Sequence, residues 1–158
     1  MLGSGRKYQG FTLIEILVVL AVLTILAAIA LPGWGELLPG LRLNSAARQI
    51  QSELHRLKAG AVAANTDLQL VFASRQYSIE RKNDTLWEPT GETRHLPEGI
   101  DIRSTTVPRL GFTPRGTALP GTGGTVRLCN VYGAGRNVVV SSTGRIRLCR
   151  PGRCDESC

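Results

Sequence analysis

Arginine is the side chain in this sequence best suited to a chemical task. Eight arginines stand between Arg109 and Arg153, namely Arg109, Arg115, Arg127, Arg136, Arg145, Arg147, Arg150 and Arg153, and no Asp, Glu or Lys lies among them. Residues 33–108 instead hold nine basic and nine acidic side chains. The formal net charge of +7 therefore comes from the later span. A mixed-sign pattern reads as solvated surface, whereas a one-signed span sets up a field that favours a polyanion. Guanidinium also has the planar fork that grips phosphate through two parallel hydrogen bonds.

Such groups work only if an element aims them at solvent. The stretch Arg145–Cys149 alternates polar and apolar residues, which is strand patterning. Side chains along a strand alternate faces, so Arg145, Arg147 and Cys149 point one way and Ile146 and Leu148 the other. Arg145 and Arg147 then stand about 6.6–7 Å apart, close to twice the rise of one DNA strand. Gly144 lets the chain turn just before the pair. A two-residue turn at Ser142-Thr143 or Thr143-Gly144 puts Val138, Val140 and Arg136 on the arginine face. A four-residue loop, Tyr132–Gly135, adds Arg127 and Cys129 to it. The opposite face, Val126, Leu128, Val139, Ile146 and Leu148, is then the expected core. No base-reading helix and no aromatic stacking platform is evident.

Cysteine chemistry shapes the end of the chain. Four cysteines, Cys129, Cys149, Cys154 and Cys158, fit two disulfides in an oxidising compartment. Of the three connectivities, 149–154 with 129–158 is favoured, because Cys149-Arg-Pro-Gly-Arg-Cys154 has turn residues at its centre. That bridge would hold Arg150 and Arg153 on a small rigid loop. The spacings do not suit a zinc knuckle, so no metal is expected. No cofactor is expected either. The two histidines, His55 and His95, lack ligand-type neighbours at useful spacing. Glu88, Glu92 and His95 fall in a turn-rich stretch and read as solvated surface. No nucleophile–base or paired-carboxylate constellation appears, so catalysis is not expected.

Leu43, Ala47, Ile50, Leu54, Leu57 and Ala61 recur at steps of four and three, the stripe of an amphipathic helix. Arg48, Glu53 and Arg56 fall off it. Pro32-Gly33 and Pro39-Gly40 are expected to bend or break the chain before this helix, and Asn65-Thr66-Asp67 ends it. Eight short strands follow: 68–73, 76–81, 85–88, 100–104, 110–113, 125–131, 137–141 and 145–149. Thr117–Gly124 is expected to be a mobile loop. The class is α+β, one helix packed on an antiparallel sheet.

Upstream, Phe11–Leu31 is 21 residues long with only Thr12, Glu15 and Thr24 not apolar. A helix of that length reaches about 31 Å, the thickness of bilayer hydrocarbon. Arg6 and Lys7 precede it, which orients the leader to the cytoplasm and the remainder across the membrane. Length, Glu15 and the absence of an A-x-A site after the apolar run argue against an ordinary signal peptide. A carboxylate in hydrocarbon costs a few kcal/mol and is by default functional.

Gly10-Phe11-Thr12-Leu13-Ile14-Glu15 resembles the processing site of type IV pilins and type II secretion pseudopilins. The resemblance implies that prepilin peptidase removes the leader after Gly10 and that Phe11 is then N-methylated. It implies that Glu15 neutralises a neighbouring subunit's terminal amine in the assembled filament, which gives the buried charge a partner. Pro32 matches the family's helix-bending proline. AANTDLQLVF, GFTPRG, VRLCN and NVVVSSTGRIRL together resemble FimT/GspH-type minor pilins over residues 40–149. Gly144-Arg145-Ile146-Arg147 resembles the GRxR signature of FimT-type minor pilins that bind DNA during natural transformation.

The resulting organisation is a leader, 1–10; a transmembrane and filament-core helix, 11–32; an amphipathic helix, 33–64; a β-rich head, 65–149; and a disulfide-closed tail, 150–158. The implied partners are DNA, contacted on its phosphates by Arg145, Arg147, Arg150 and Arg153 with Arg136 in support, other pilins, and prepilin peptidase as processing enzyme. The implied location is the inner membrane with a periplasmic head, then the pilus at the cell surface. The alternative is a structural GspH-like minor pseudopilin of a type II secretion system.

Overall fold

A computed structural model describes residues 11–30 and 34–157. The chain divides into two compact units, Met1–Leu37 and Leu38–Cys158. In the first, helix α1 covers Leu13–Ala30. Thr12 starts it: the Glu15 N–H donates to Thr12 Oγ1 at 3.3 Å, one half of a capping box. At 18 residues α1 is about 27 Å long, and its large apolar side chains are exposed. Among the described residues no helix is long and apolar enough to cross a membrane. The expected span ends on Leu31 and Pro32, and the cleavage site on Gly10; all three lie outside the described residues.

Helix α2 runs from Trp34 to Ala63 with Pro39 inside it. Pro39-Gly40 therefore does not break the helix. Pro39 is the sixth residue of the helix, so it forfeits one internal i→i−4 hydrogen bond, and the helix continues past it. Asn65, at φ 48°, ends α2. The Thr66 N–H donates to the Ala61 carbonyl at 3.1 Å and the Asn65 N–H to Val62 at 3.3 Å, a Schellman closure. Leu43, Ala47, Ile50, Leu54, Leu57 and Ala61 are all buried, as the helical stripe requires.

The strands form two antiparallel sheets rather than the single expected one. The first comprises β1 (Leu68–Phe72), β2 (Gln76–Asn83), β3 (Leu86–His95) and β5 (Arg109–Phe112), in the order β3-β2-β1-β5. The second comprises β4 (Ile100–Thr105), β6 (Gly124–Asn130), β7 (Gly135–Val140) and β8 (Ile146–Cys149), in the order β4-β6-β7-β8. Apolar faces of both sheets join the α2 stripe in one core, with Leu70, Tyr77 and Phe112 from one sheet and Val126, Leu128, Val138 and Val140 from the other.

Two further expectations are corrected. Glu88, Glu92 and His95 lie on strand β3, not in a turn-rich stretch; β3 is an edge, so Pro89 forfeits no interior ladder bond, and a bulge between Ser78 and Glu80 absorbs the irregularity. Thr117–Gly124 is a packed connection: Ala118, Leu119 and Thr122 are buried, and the Leu119 N–H donates to Gly111 at 3.0 Å. Glu53, although off the apolar stripe, is buried and paired with Arg94 at 3.3 Å.

Candidate functional site

Strand register decides which way the arginines face. Both hairpins of the second sheet turn through three residues. In the first, Asn130 and Ala134 flank Val131-Tyr132-Gly133; in the second, Ser141 and Arg145 flank Ser142-Thr143-Gly144. The Asn130 N–H donates to Ala134 and the Ser141 N–H to Arg145, at 3.1 and 3.0 Å. The third residue of each loop, Gly133 or Gly144, has φ near 80°, where a side chain is strained. The expected loops held two and four residues, and an odd loop reverses face parity. Strand β7 is therefore flipped: Val138 and Val140 lie in the core, and Val139 opposes Arg147 on the outer face.

Arg136 turns inward with the same flip. It opposes Leu128, and its Nε donates to Asn44 Oδ1 on α2 at 2.8 Å. Burial first, then the charge of Arg150, lowers its pKa from the usual arginine range. Arg136 is thus a half-buried bridge to the helix and not a member of the arginine face.

The two parity errors cancel across the sheet, so β6 and β8 keep their expected faces. Arg145 and Arg147 are exposed, while Ile146 and Leu148 pack against the core. Arg127 shares the outer face with them, half-buried, with its Nε buried and unpartnered. Arg150 and Arg153 follow on the tail and are exposed. Among the described residues the ion pairs involve Arg75, Lys82 and Arg94, and none involves an arginine of the 109–153 span. The nearest acids in sequence are Asp155 and Glu156; the Glu156 carboxylate accepts the backbone N–H groups of Gly152 and Arg153 at 3.0 and 3.3 Å.

The tail is not the expected small loop. Cys129 bonds to Cys154, which excludes both favoured bridges. Cys149 is also disulfide-bonded, and Cys158 lies outside the described residues. Cys129 points to the outer face, so the tail folds back over that face to meet it. The Cys154 N–H donates to the Gly133 carbonyl at 2.9 Å, and Asn137 Nδ2 donates to the Glu156 carbonyl at 3.1 Å. Gly135 lies directly beneath: a Cβ there would stand 2.7 Å from the Arg153 carbonyl oxygen.

Gly144 has a second task that its turn role did not reveal. A Cβ at Gly144 would meet the carbonyl oxygen of Gly116, and Lys58 Nζ of α2 donates to the Gly144 carbonyl at 3.0 Å. The hairpin tip that carries Arg145 is therefore clamped between the 113–117 turn and the helix. The GFTPRG and GRIR segments, separate in sequence, meet here. Lys58, a lone cation on a helix in the sequence, gave no sign of this contact.

Sequence comparison places this geometry among known chains. Residues 5–31 match the Prokaryotic N-terminal methylation motif, and residues 46–144 match Type II transport protein GspH. Type II secretion system protein H of Pseudomonas aeruginosa is 29% identical over 109 residues, 61% of this chain and 58% of that protein. Its counterpart from Xanthomonas campestris pv. campestris is 31% identical over 104 residues, 63% of this chain and 55% of that one. The matches thus span less than two thirds of either relative's length. In structure, the minor pseudopilin EpsH of the Vibrio cholerae type 2 secretion system aligns with TM-score 0.60 at 16% identity, covering 71% of this chain and 99% of EpsH. The Pseudomonas aeruginosa type IV minor pilin FimU aligns with TM-score 0.58 at 23% identity, covering 71% and 94%.

Proposed function

This chain belongs to the type IV pilin-like GspH family, and from that premise we propose that it is a minor pilin that binds DNA through its carboxyl-terminal arginines. The observation that carries the reading is the row Arg145, Arg147, Arg150 and Arg153, exposed and free of ion pairs on a strand edge and the stapled tail that continues it. The guanidinium groups of Arg145 and Arg147, two residues apart, meet two phosphates of one backbone. The clamp on Gly144 and the disulfide fix the row in advance, which lowers the entropy cost of binding. Contacts of this kind position a protein on DNA without reading bases, so binding is sequence-independent and falls with salt. The task would be capture of extracellular DNA for uptake during transformation.

The amino-terminal motif supports processing after Gly10 by prepilin peptidase, N-methylation of Phe11, residence in the inner membrane with a periplasmic head, and later entry into a surface filament. Glu15 would meet the terminal amine of a neighbouring pilin. The names of the curated relatives favour a second reading, a structural minor pseudopilin of a type II secretion system.

One experiment separates the two. The full-length protein in detergent is titrated with labelled duplex DNA, beside a variant with Arg145, Arg147, Arg150 and Arg153 all changed to Ala. Wild-type binding on the order of micromolar, lost in the variant, is expected. Equal behaviour of the two proteins sinks the DNA reading and leaves the secretion one.

A further inference from the structure

The tip of the β6–β7 hairpin carries an aromatic ring that the arginine row does not use. Tyr132 is 67% exposed, and its neighbour Val131 is 71% exposed. The backbone under the ring is fixed from every side. Asn130 Oδ1 accepts the N–H groups of Tyr132 and Ala134 at 3.0 and 2.9 Å. The Gly133 N–H donates to the Asn130 carbonyl at 3.1 Å, and the Gly133 carbonyl accepts the Cys154 N–H. The Cys129–Cys154 bridge closes the same corner. The ring thus stands in water on a rigid mount, with only its own torsions to be ordered on binding.

Tyr132 lines a cavity of about 590 Å³ together with Arg103, Arg153, Asp101 and Asp155. Asp101 is engaged by Arg75 at 3.5 Å. Arg153 bridges to Ala134 beside the tip, so the arginine row of β8 and the tail ends at this ring. An aromatic face and two guanidinium groups form a set suited to a nucleotide. The ring takes the base and the cations take the flanking phosphates. Bases inside a duplex hide their faces against one another; only an unpaired strand offers one for stacking.

We propose that Tyr132, flanked by Arg103 and Arg153, is a stacking site for an unpaired nucleobase, so that this protein prefers single-stranded DNA to duplex. The proposal rests on the DNA reading above and names its substrate class. It also revises the expectation that the chain has no aromatic platform.

The test uses full-length protein in detergent and fluorescence anisotropy with three probes: a labelled oligothymidylate, the same strand made abasic, and a duplex of equal length. Wild type is expected to bind oligothymidylate about tenfold more tightly than the abasic strand. Tyr132→Ala is expected to erase that difference while duplex affinity stays within about twofold, and Tyr132→Phe, which keeps the ring face, to retain it. Equal wild-type binding of oligothymidylate and its abasic counterpart overturns the stacking site; if duplex still binds through the arginines, the DNA reading stands. Failure of wild type to bind any of the three probes ends both. A Tyr132→Ala variant that weakens on all probes equally also overturns the proposal, because the ring then acts through the hairpin fold. So does one that keeps its DNA preference but loses association with a second pilin-like subunit, which assigns the tip to a protein partner.

Discussion

Arg136 and Arg147 come from the same acid-free span, yet their surroundings give them opposite tasks. Arg136 bonds to Asn44 on α2, and its guanidinium is half-buried. Arg136→Ala is expected to lower unfolding stability by about 1–2 kcal/mol, through the lost hydrogen bond and stem packing, and to leave DNA affinity unchanged. Arg147 lies over Val139 and faces solvent. Arg147→Ala is expected to weaken binding to every DNA sequence alike and to reduce the salt slope by about one, with the melting temperature unmoved. Paired melts and titrations on the two variants check this; the reverse pattern would mean that the sheet faces are misassigned. Tyr77 supplies a residue-scale test of the core. Burial raises its phenol above the ordinary 10.0, and the hydrogen bond from Gln49 offsets that only in part. The unfolded chain therefore ionises first as pH rises. The stability that the neutral phenol contributes is complete below about 10 and is lost as pH climbs through the raised folded value. Tyr77→Phe is expected to flatten the alkaline limb of a stability–pH curve.

The hairpin Val138–Leu148 shows how one element couples fold to site. Gly144 holds a positive φ and lies against the Gly116 carbonyl, with Lys58 bonded to its own carbonyl. Gly144→Ala is expected to cost about 1–3 kcal/mol in denaturant unfolding, from backbone strain plus the contact that must give way. Ser142→Ala, in the same loop but exposed, is expected to be near neutral and serves as the control. This hairpin also shows what was legible beforehand. The α2 stripe and the existence of eight strands are local patterns, and burial on one face writes them into the sequence. Alternation within β8 likewise fixed Arg145 and Arg147 outward, because Ile146 and Leu148 had to go in. Register between strands is a different quantity. It depends on loop length, and Ser-Ser-Thr-Gly-Arg fits loops of two or three residues; only the positive φ of Gly144 at the third place selects three. That third residue is what turns Val139 outward and Arg136 inward. Cysteine pairing depends on how far the tail travels, and spacing alone favoured the short bridge 149–154 over the observed 129–154.

At the scale of the molecule, charge is segregated along the chain. The span 33–108 is balanced, and the 109–153 span supplies the positive field. Its arginines are not equivalent in space. Arg109 and Arg115 belong to the other sheet and the turn after it, Arg127 is half-buried, and Arg136 faces the helix. Four remain exposed on the last hairpin and the tail after it, Arg145, Arg147, Arg150 and Arg153. Release of about 0.9 counterion per neutralised phosphate of duplex then sets the slope of log affinity against log salt near −3.6 for the full-length protein. A whole-surface field would engage all eight arginines of the span and give a slope near −7. The measured slope thus counts contacts without any coordinates of a complex. A value between about −3 and −4 supports a linear track along one edge. A value near zero would mean that the exposed row meets no phosphate, and the arginines would then serve an acidic face on another subunit, as the secretion reading requires.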